Sequence, residues 1–257
     1  MKSLIILTGS EIRHDYFRIK ISLDKRFKVI KTFCEGLENS LKKRINDNRN
    51  ADFIEIKHVE AREQAESDFF KDYIELATDK SNPSFIKKGD INKKEIVNEI
   101  KKINPDLIVC YGSSLIEEEL INHFKGRFLN IHLGISPFYR GSGTNIWPMI
   151  NKELDFIGAT FMHIDKGIDT GSVIKQIRAK IFLGDGPHSI GTRLIKDMTE
   201  ECAEIICSFE TIKSTTFSNK DGKLYMRRDF NLQACKELYE SFKTDMVQDY
   251  LIKKIKK

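Results

Sequence analysis

The chain has 257 residues, 40% of them hydrophobic, which is enough to bury a sizeable core in one large domain or in one domain with a small appendage. Lysine and arginine number 43 against 38 acids, and the resulting +5 would help attract an anionic substrate but is too small by itself to argue for nucleic acid. No apolar run approaches a membrane span, no small-residue cleavage pattern follows the first residues, and the five scattered cysteines lack C-x-x-C spacing, so a cytoplasmic protein with reduced thiols and no membrane partner is expected.

Leu4-Ile5-Ile6-Leu7 is an apolar run closed by Thr8-Gly9-Ser10, and helical spacing follows over 15–23. Strand, glycine turn and helix open a parallel α/β sheet. Gly9 alone is a weak phosphate-loop signal, because neither G-x-G-x-x-G nor G-K-[ST] is present. A second strand is expected over 27–33 and a charged helix over 37–46. The long charged stretch 52–77 reads as helix in one piece or two, with His58 and Arg62 four apart on one face and packing as their default role. Residues 79–84 have turn chemistry, and 92–103 fits a helix with Ile91, Ile96, Ile100 and Ile103 as its apolar stripe. A buried strand over 107–110 ends at Tyr111-Gly112, and a helix over 116–124 follows. Strands are also expected over 128–132, 159–164, 172–181 and 223–226. Helices are expected to begin near Ser142 and to cover 188–209 and 232–252.

Within this frame, Phe128-Leu129-Asn130-Ile131-His132 carries two polar side chains at alternate positions, which a strand sends to one face. A shaped loop rich in glycine follows, and an acidic glycine-containing loop, Asp165 to Gly171, comes about thirty residues later. An Asn amide can donate to a developing oxyanion, imidazole can donate or relay a proton, and a carboxylate can orient the imidazole or take a proton through water. These residue types suit acyl transfer to nitrogen, with Asp165 and Asp169 competing for the acid. A structural role in closing the loop is the competing reading of Asn130 and His132. The six histidines show no metal-ligand spacing, so no metal is expected.

The run from Asn130 through Pro137 to Gly141 resembles the signature of the formyltransferases that use 10-formyltetrahydrofolate, in which Asn-x-His precedes a loop ending in Pro and Gly. Asp165 to Gly171 is similar to the same family's acidic loop, whose final Asp maps to Asp169. The resemblance implies that Asn130 and His132 polarise the formyl carbonyl and stabilise its tetrahedral intermediate, with Asp169 supporting His132 and proton transfer. It extends more loosely from Leu4 to about Met198. It implies an α/β fold with a Rossmann-like open, mostly parallel sheet over residues 1–211, and a small strand–helix extension over 212–257. Tyr111, Gly112, Ser136, Pro137 and Asp165 are the implied folate contacts. Gly134-Ile135-Ser136-Pro137 departs there from the family's common Ser-Leu-Leu-Pro.

For the acceptor, the resemblance points to the amine of a nucleotide-linked amino sugar. Enzymes acting on methionyl-tRNA usually add a basic carboxy-terminal barrel, and the purine-synthesis enzyme is shorter, without the insertion at 52–91. Arg140, Asn145, Trp147 and Arg193 are the candidates for the acceptor side. Glycinamide ribonucleotide, methionyl-tRNA, hydrolysis of the folate and a silent folate-binding protein are the alternatives. The carboxy-terminal helix is a candidate homodimer interface.

Overall fold

The computed structural model describes residues 1–38, 41–48, 50–218 and 222–256. In chain order the elements are β1 (Lys2–Thr8), α1 (Ile12–Ser22), β2 (Phe27–Glu35), α2 (Leu41–Asp47), α3 (Phe53–Leu76), β3 (Pro83–Ile86), α4 (Lys94–Ile103), β4 (Leu107–Tyr111), α5 (Glu118–His123) and β5 (Phe128–His132). Then come β6 (Tyr139–Gly141), α6 (Trp147–Ile150), β7 (Gly158–Met162), β8 (Val173–Arg178), α7 (Pro187–Ser208), β9 (Lys223–Tyr225), α8 (Leu232–Phe242) and α9 (Met246–Ile255).

The main sheet runs β3-β2-β1-β4-β5-β7-β8, parallel from β3 to β5 and antiparallel at β7 and β8. Leu4 to Thr8 are buried on both faces, as a parallel strand sandwiched by helices requires. Alternation divides its side chains between two cores. Leu4 and Ile6 join Phe17 of α1 and Leu194 and Met198 of α7, whereas Ile5 and Leu7 join Ile100 of α4 and Phe124. After β3 the chain returns to the opposite side of β1 to make β4, so the strand order reverses between these two strands. Ligands of open α/β sheets bind in the crevice outside such a switch point. The Gly9 and Gly112 turns both open there.

Several elements differ from the sequence expectation for identifiable reasons. α3 is a single helix of 24 residues, started by a reciprocal Asp52–Glu55 capping box and uninterrupted by glycine or proline. β3 falls partly in the expected 79–84 turn. It pairs only with β2, and a proline is tolerated at such an edge. The expected 232–252 helix divides into α8 and α9, and at the break the Ser241 and Thr244 hydroxyls bond back to the carbonyls of Glu237 and Ser241. The helix expected from Ser142 is confined to the short α6. Of the helix expected over 37–46, residues 39 and 40 lie outside the described residues, and α2 begins at Leu41.

The chain after residue 211 returns to the body of the protein. β9 pairs in parallel with β6, Thr215 bridges Val173, and Leu238, Met246 and Val247 enter the same core as Leu4 and Ile6.

Candidate active site

Pairing with β4 and β7 places Asn130 opposite Cys110 and Met162, and His132 opposite Thr160. The two side chains emerge two residues apart on one face, and the acidic loop brings Asp169 to meet them. His132 Nδ1 lies 3.1 Å from Asp169 Oδ2, and Asn130 Nδ2 lies 3.5 Å from Asp169 Oδ1. The Gly141 amide donates to Asp169 Oδ2 at 2.9 Å, tying the two loops together through one carboxylate. Asp169 holds a left-handed backbone with φ of 52°, a conformation Asp tolerates better than most residues.

His132 is 6% exposed, and its Nε2 lies 2.8 Å from the Tyr139 carbonyl. A carbonyl only accepts, so Nε2 carries a proton there. With Asp169 at Nδ1, the imidazole is a bridge between two acceptors, and Asn130 is left as the amide donor beside it. Gly134 makes room for that ring, since a Cβ at this position would come within 2.5 Å of His132 Nε2. Asp165 closes its own loop by accepting from the Gly167 amide at 2.9 Å and the Thr170 hydroxyl at 2.6 Å.

The trio opens into a crevice of about 1690 Å³ that runs from Gly9–His14 and Tyr111–Ile121 past the 162–171 loop to His188 and Tyr225–Phe230. Gly112, with φ of 73°, and Gly9 hold the edges of the His14 ring; a Cβ on Gly9 would approach it to 2.6 Å, and one on Gly112 would also collide. His14 Nδ1 accepts from the Glu11 amide at the start of α1, which leaves the ring proton on Nε2. Burial, reinforced by the Arg13 charge, keeps this imidazole neutral by lowering its pKa well below the usual histidine range.

A charged network lies behind it. Arg13 donates to Glu66 at 2.7 Å and to Glu11, and Arg62 donates to Glu11 at 2.9 Å. Burial alone would raise the Glu11 pKa, but the Arg13 and Arg62 charges outweigh it and bring it down to about 2. On the next strand, fully buried Glu35 accepts from Lys88 at 2.8 Å and from the Gly89 and Ser114 amides at 2.8 and 2.5 Å, fixing the loop after β4. Among the described residues, no group of three or more His, Cys, Asp or Glu is placed to hold a metal ion, and no helix is long and apolar enough to cross a membrane.

The other residues singled out from sequence are distributed unevenly. Tyr111, Gly112, Asp165 and Asn145 line the crevice, although the Tyr111 ring is buried against His14 and Phe17 and Asn145 Oδ1 is engaged by the Gly158 amide at 2.9 Å. Ser136 and Pro137 lie outside the lining. The Ser136 amide is bound to Thr160 Oγ1 at 3.1 Å and its carbonyl to Gln176 at 2.7 Å. Arg140 is also outside it. Trp147 is buried, donates to the Ser142 carbonyl at 3.1 Å and stacks on Tyr225 at 4.4 Å. Arg193 is turned away from the crevice by a two-pronged bond to Asp185, with both distances 2.8 Å, and by the Lys180 carbonyl at 2.7 Å. His58 packs, while Arg62, four residues on, reaches the crevice. His14, Glu35, Arg44, Thr144, Arg227 and Arg228 also line it and were not singled out. For His14 the available signal was a glycine at the end of each of two adjacent parallel strands.

The family model for formyl transferase matches residues 39–205, well over half the chain. The chain belongs to that family. The methionyl-tRNA formyltransferase of Clostridioides difficile is 35% identical over 133 residues, covering 48% of this chain and 42% of that enzyme. The corresponding enzyme of Finegoldia magna is 34% identical over 94 residues, covering 36% of this chain and 30% of the relative. The chain thus spans less than half the length of these curated relatives. Among solved structures, a sugar N-formyltransferase from a Shewanella species superposes with a TM-score of 0.59 at 17% identity, covering 94% of this chain and 88% of that one. At this identity the likeness is one of fold.

Proposed function

We propose that this formyltransferase moves the formyl group of 10-formyltetrahydrofolate to a primary amine. The observation that carries the reading is the convergence of Asn130, His132 and Asp169 at one end of the crevice. The folate supplies the activated formyl group, and the residues around it have separable roles. Attack of the amine nitrogen on the formyl carbon forms a C–N bond and sends the carbonyl electron pair to oxygen. The Asn130 amide N–H is the donor placed for that oxyanion, and a fixed donor in a water-poor site is worth far more than one in bulk water. The attacking nitrogen must lose a proton, and the folate nitrogen must gain one as its bond to the formyl carbon breaks. Asp169, bridged to His132, can take the first proton and supply the second.

The slot outside β4 fits a flat heterocycle. Gly112 leaves bare backbone, Leu115 is 64% exposed and apolar, and Ile116, Met162 and Asp165 complete the walls. These residues and Tyr111 would hold the pteridine; Ser136 and Pro137 would act through loop shape.

The sequence relatives favour methionyl-tRNA as the acceptor, since the matched enzymes carry that name. A nucleotide-linked amino sugar is the second reading, supported by a crevice of about 1690 Å³, room for two small-molecule reactants, whose wall includes several arginines. Purified protein incubated with 10-formyltetrahydrofolate and, in turn, methionyl-tRNA, nucleotide-linked amino sugars and glycinamide ribonucleotide, followed by mass spectrometry, tests both. A formylated amine is the expected product. Formate released at the turnover rate with every acceptor unmodified would replace transfer by hydrolysis.

A further inference from the structure

The crevice wall carries charges of both signs. Around the mouth of the 162–171 loop stand Glu117, Glu118, Glu119 and Asp165, with Lys166 paired to Glu118 at 2.9 Å. Besides Arg13, four arginines on the same wall come from three separate parts of the chain: Arg44 of α2, Arg62 of α3, and Arg227 and Arg228 just beyond β9. Their proximity is built in. The Arg44 guanidinium lies 3.5 Å from the carbonyls of Arg227 and Phe230, and α3 packs against both α2 and α8. Glu11 and Glu66 are shared among Arg13 and Arg62, and Arg62 Nε, 3.9 Å from Glu66 Oε1, has no hydrogen-bond partner among the described residues. Arg227 and Arg228 are exposed.

We propose that Arg44, Arg62, Arg227 and Arg228 form a seat for the phosphate groups of the acceptor, holding it by its anionic end while its amine reaches toward Asn130 and Asp169. This deepens the formyl-transfer reading and rests on it for the identity of the bound molecule as acceptor. Guanidinium forks match phosphate oxygens in pairs, and several within one cavity suit a diphosphate or a run of phosphodiesters better than a single carboxylate. The geometry also gives the carboxy-terminal residues a role in binding, because β9, pinned to β6, delivers two of the four cations to the crevice wall.

The test is a comparison of the wild-type protein with an Arg227→Met/Arg228→Met double variant and with a charge-matched control, Lys125→Met/Lys253→Met, whose exposed lysines lie outside the crevice. Calorimetric titration with inorganic pyrophosphate should show saturable binding to the wild type and control, weakened at least about tenfold in the arginine variant. In assays at saturating 10-formyltetrahydrofolate, the arginine variant should raise the acceptor KM by about tenfold or more with kcat within about twofold, because uniform binding is lost while the chemistry is untouched. Nucleotide-linked amino sugars and methionyl-tRNA, assayed separately, distinguish a diphosphate from RNA as the source of the phosphates. Pyrophosphate binding that is absent from the wild type, or equal in the arginine variant, overturns the seat. So does a KM rise confined to the folate, which would assign the arginines to its glutamate tail. If no acceptor is formylated but the double substitution still removes pyrophosphate binding, the phosphate seat stands and the formyl-transfer reading falls.

Discussion

Asn130 and Asp169 have different jobs at the same centre, and substitution should separate them. Replacing Asn130 by Ala removes one donor together with its 3.5 Å contact to Asp169 Oδ1, while the contact of His132 Nδ1 to Asp169 Oδ2 stays in place, and loss of one oxyanion donor costs roughly 10²–10³ in kcat. The expected result is a kcat decrease of that size with little change in either KM, measured in steady state with whichever acceptor is formylated. Asp169→Asn retains a side-chain acceptor for the Gly141 amide and suits the left-handed backbone, so the loop should persist while the proton acceptor is gone. A fall in kcat of roughly 10²–10⁴ is expected, with an unchanged melting temperature as the check that the loop is intact. Unchanged turnover in either variant would remove that residue from the mechanism. Gly134 offers a steric control. Its replacement by Ala pushes on His132 rather than on any reactant, so activity should fall although no chemical group has been deleted.

At the scale of elements, helix α8 is fastened to α3 and α7 by a shared polar contact. The Tyr239 hydroxyl lies 3.1 Å from both His58 Nδ1 and His188 Nε2, accepting from one and donating to the other. Tyr239→Phe strands fully buried His58, whose Nε2 already has no hydrogen-bond partner among the described residues, and should cost about 1–3 kcal/mol, read as a lower urea midpoint with unchanged slope. This joint marks where the sequence stopped being readable. Period-2 and period-3.6 patterns depend on neighbours along the chain, and they gave β1, β4, β5 and the 188–209 helix nearly as observed. Strand alternation put Asn130 and His132 on one face, whereas the acidic loop left Asp165 and Asp169 in competition and the family resemblance chose between them. Arg193 was misleading, because nothing in its own helix reveals that Asp185 in the preceding turn would capture it. The meeting of Arg44 with Arg227 spans most of the chain and depends on β9 lying beside β6, a pairing of two three-residue strands with no local signature.

For the whole molecule, the buried histidines make acid the vulnerable direction. Burial lowers His58 to about 3 and, with the Arg62 charge, His188 to about 4, while His14 lies well below the usual range. In the unfolded chain each would protonate near about pH 6.5. Between that pH and the folded values, the unfolded state binds more protons, so stability is full above about pH 7 and falls as the pH drops. Three such groups give a slope of up to about 4 kcal/mol per pH unit in the middle of the window, large beside a total stability of about 5–15 kcal/mol. Glu11 acts in the same direction at lower pH: its folded value of about 2 stabilises the protein above the unfolded value of 4.5, and that contribution is lost as the pH falls through this interval. Urea midpoints should therefore be flat from about pH 8 to about 7 and decline progressively from about pH 6.5 downward. A His58→Leu/Tyr239→Phe variant replaces two of the joint's three polar groups by apolar ones, leaves His188 Nε2 without its Tyr239 partner, and removes one titrating site. Its midpoint at about pH 7.5 tests packing, and its shallower decline between about pH 6.5 and 5 tests the histidine origin of the slope. An unaltered slope in that variant would remove His58 from the groups responsible for the acid sensitivity.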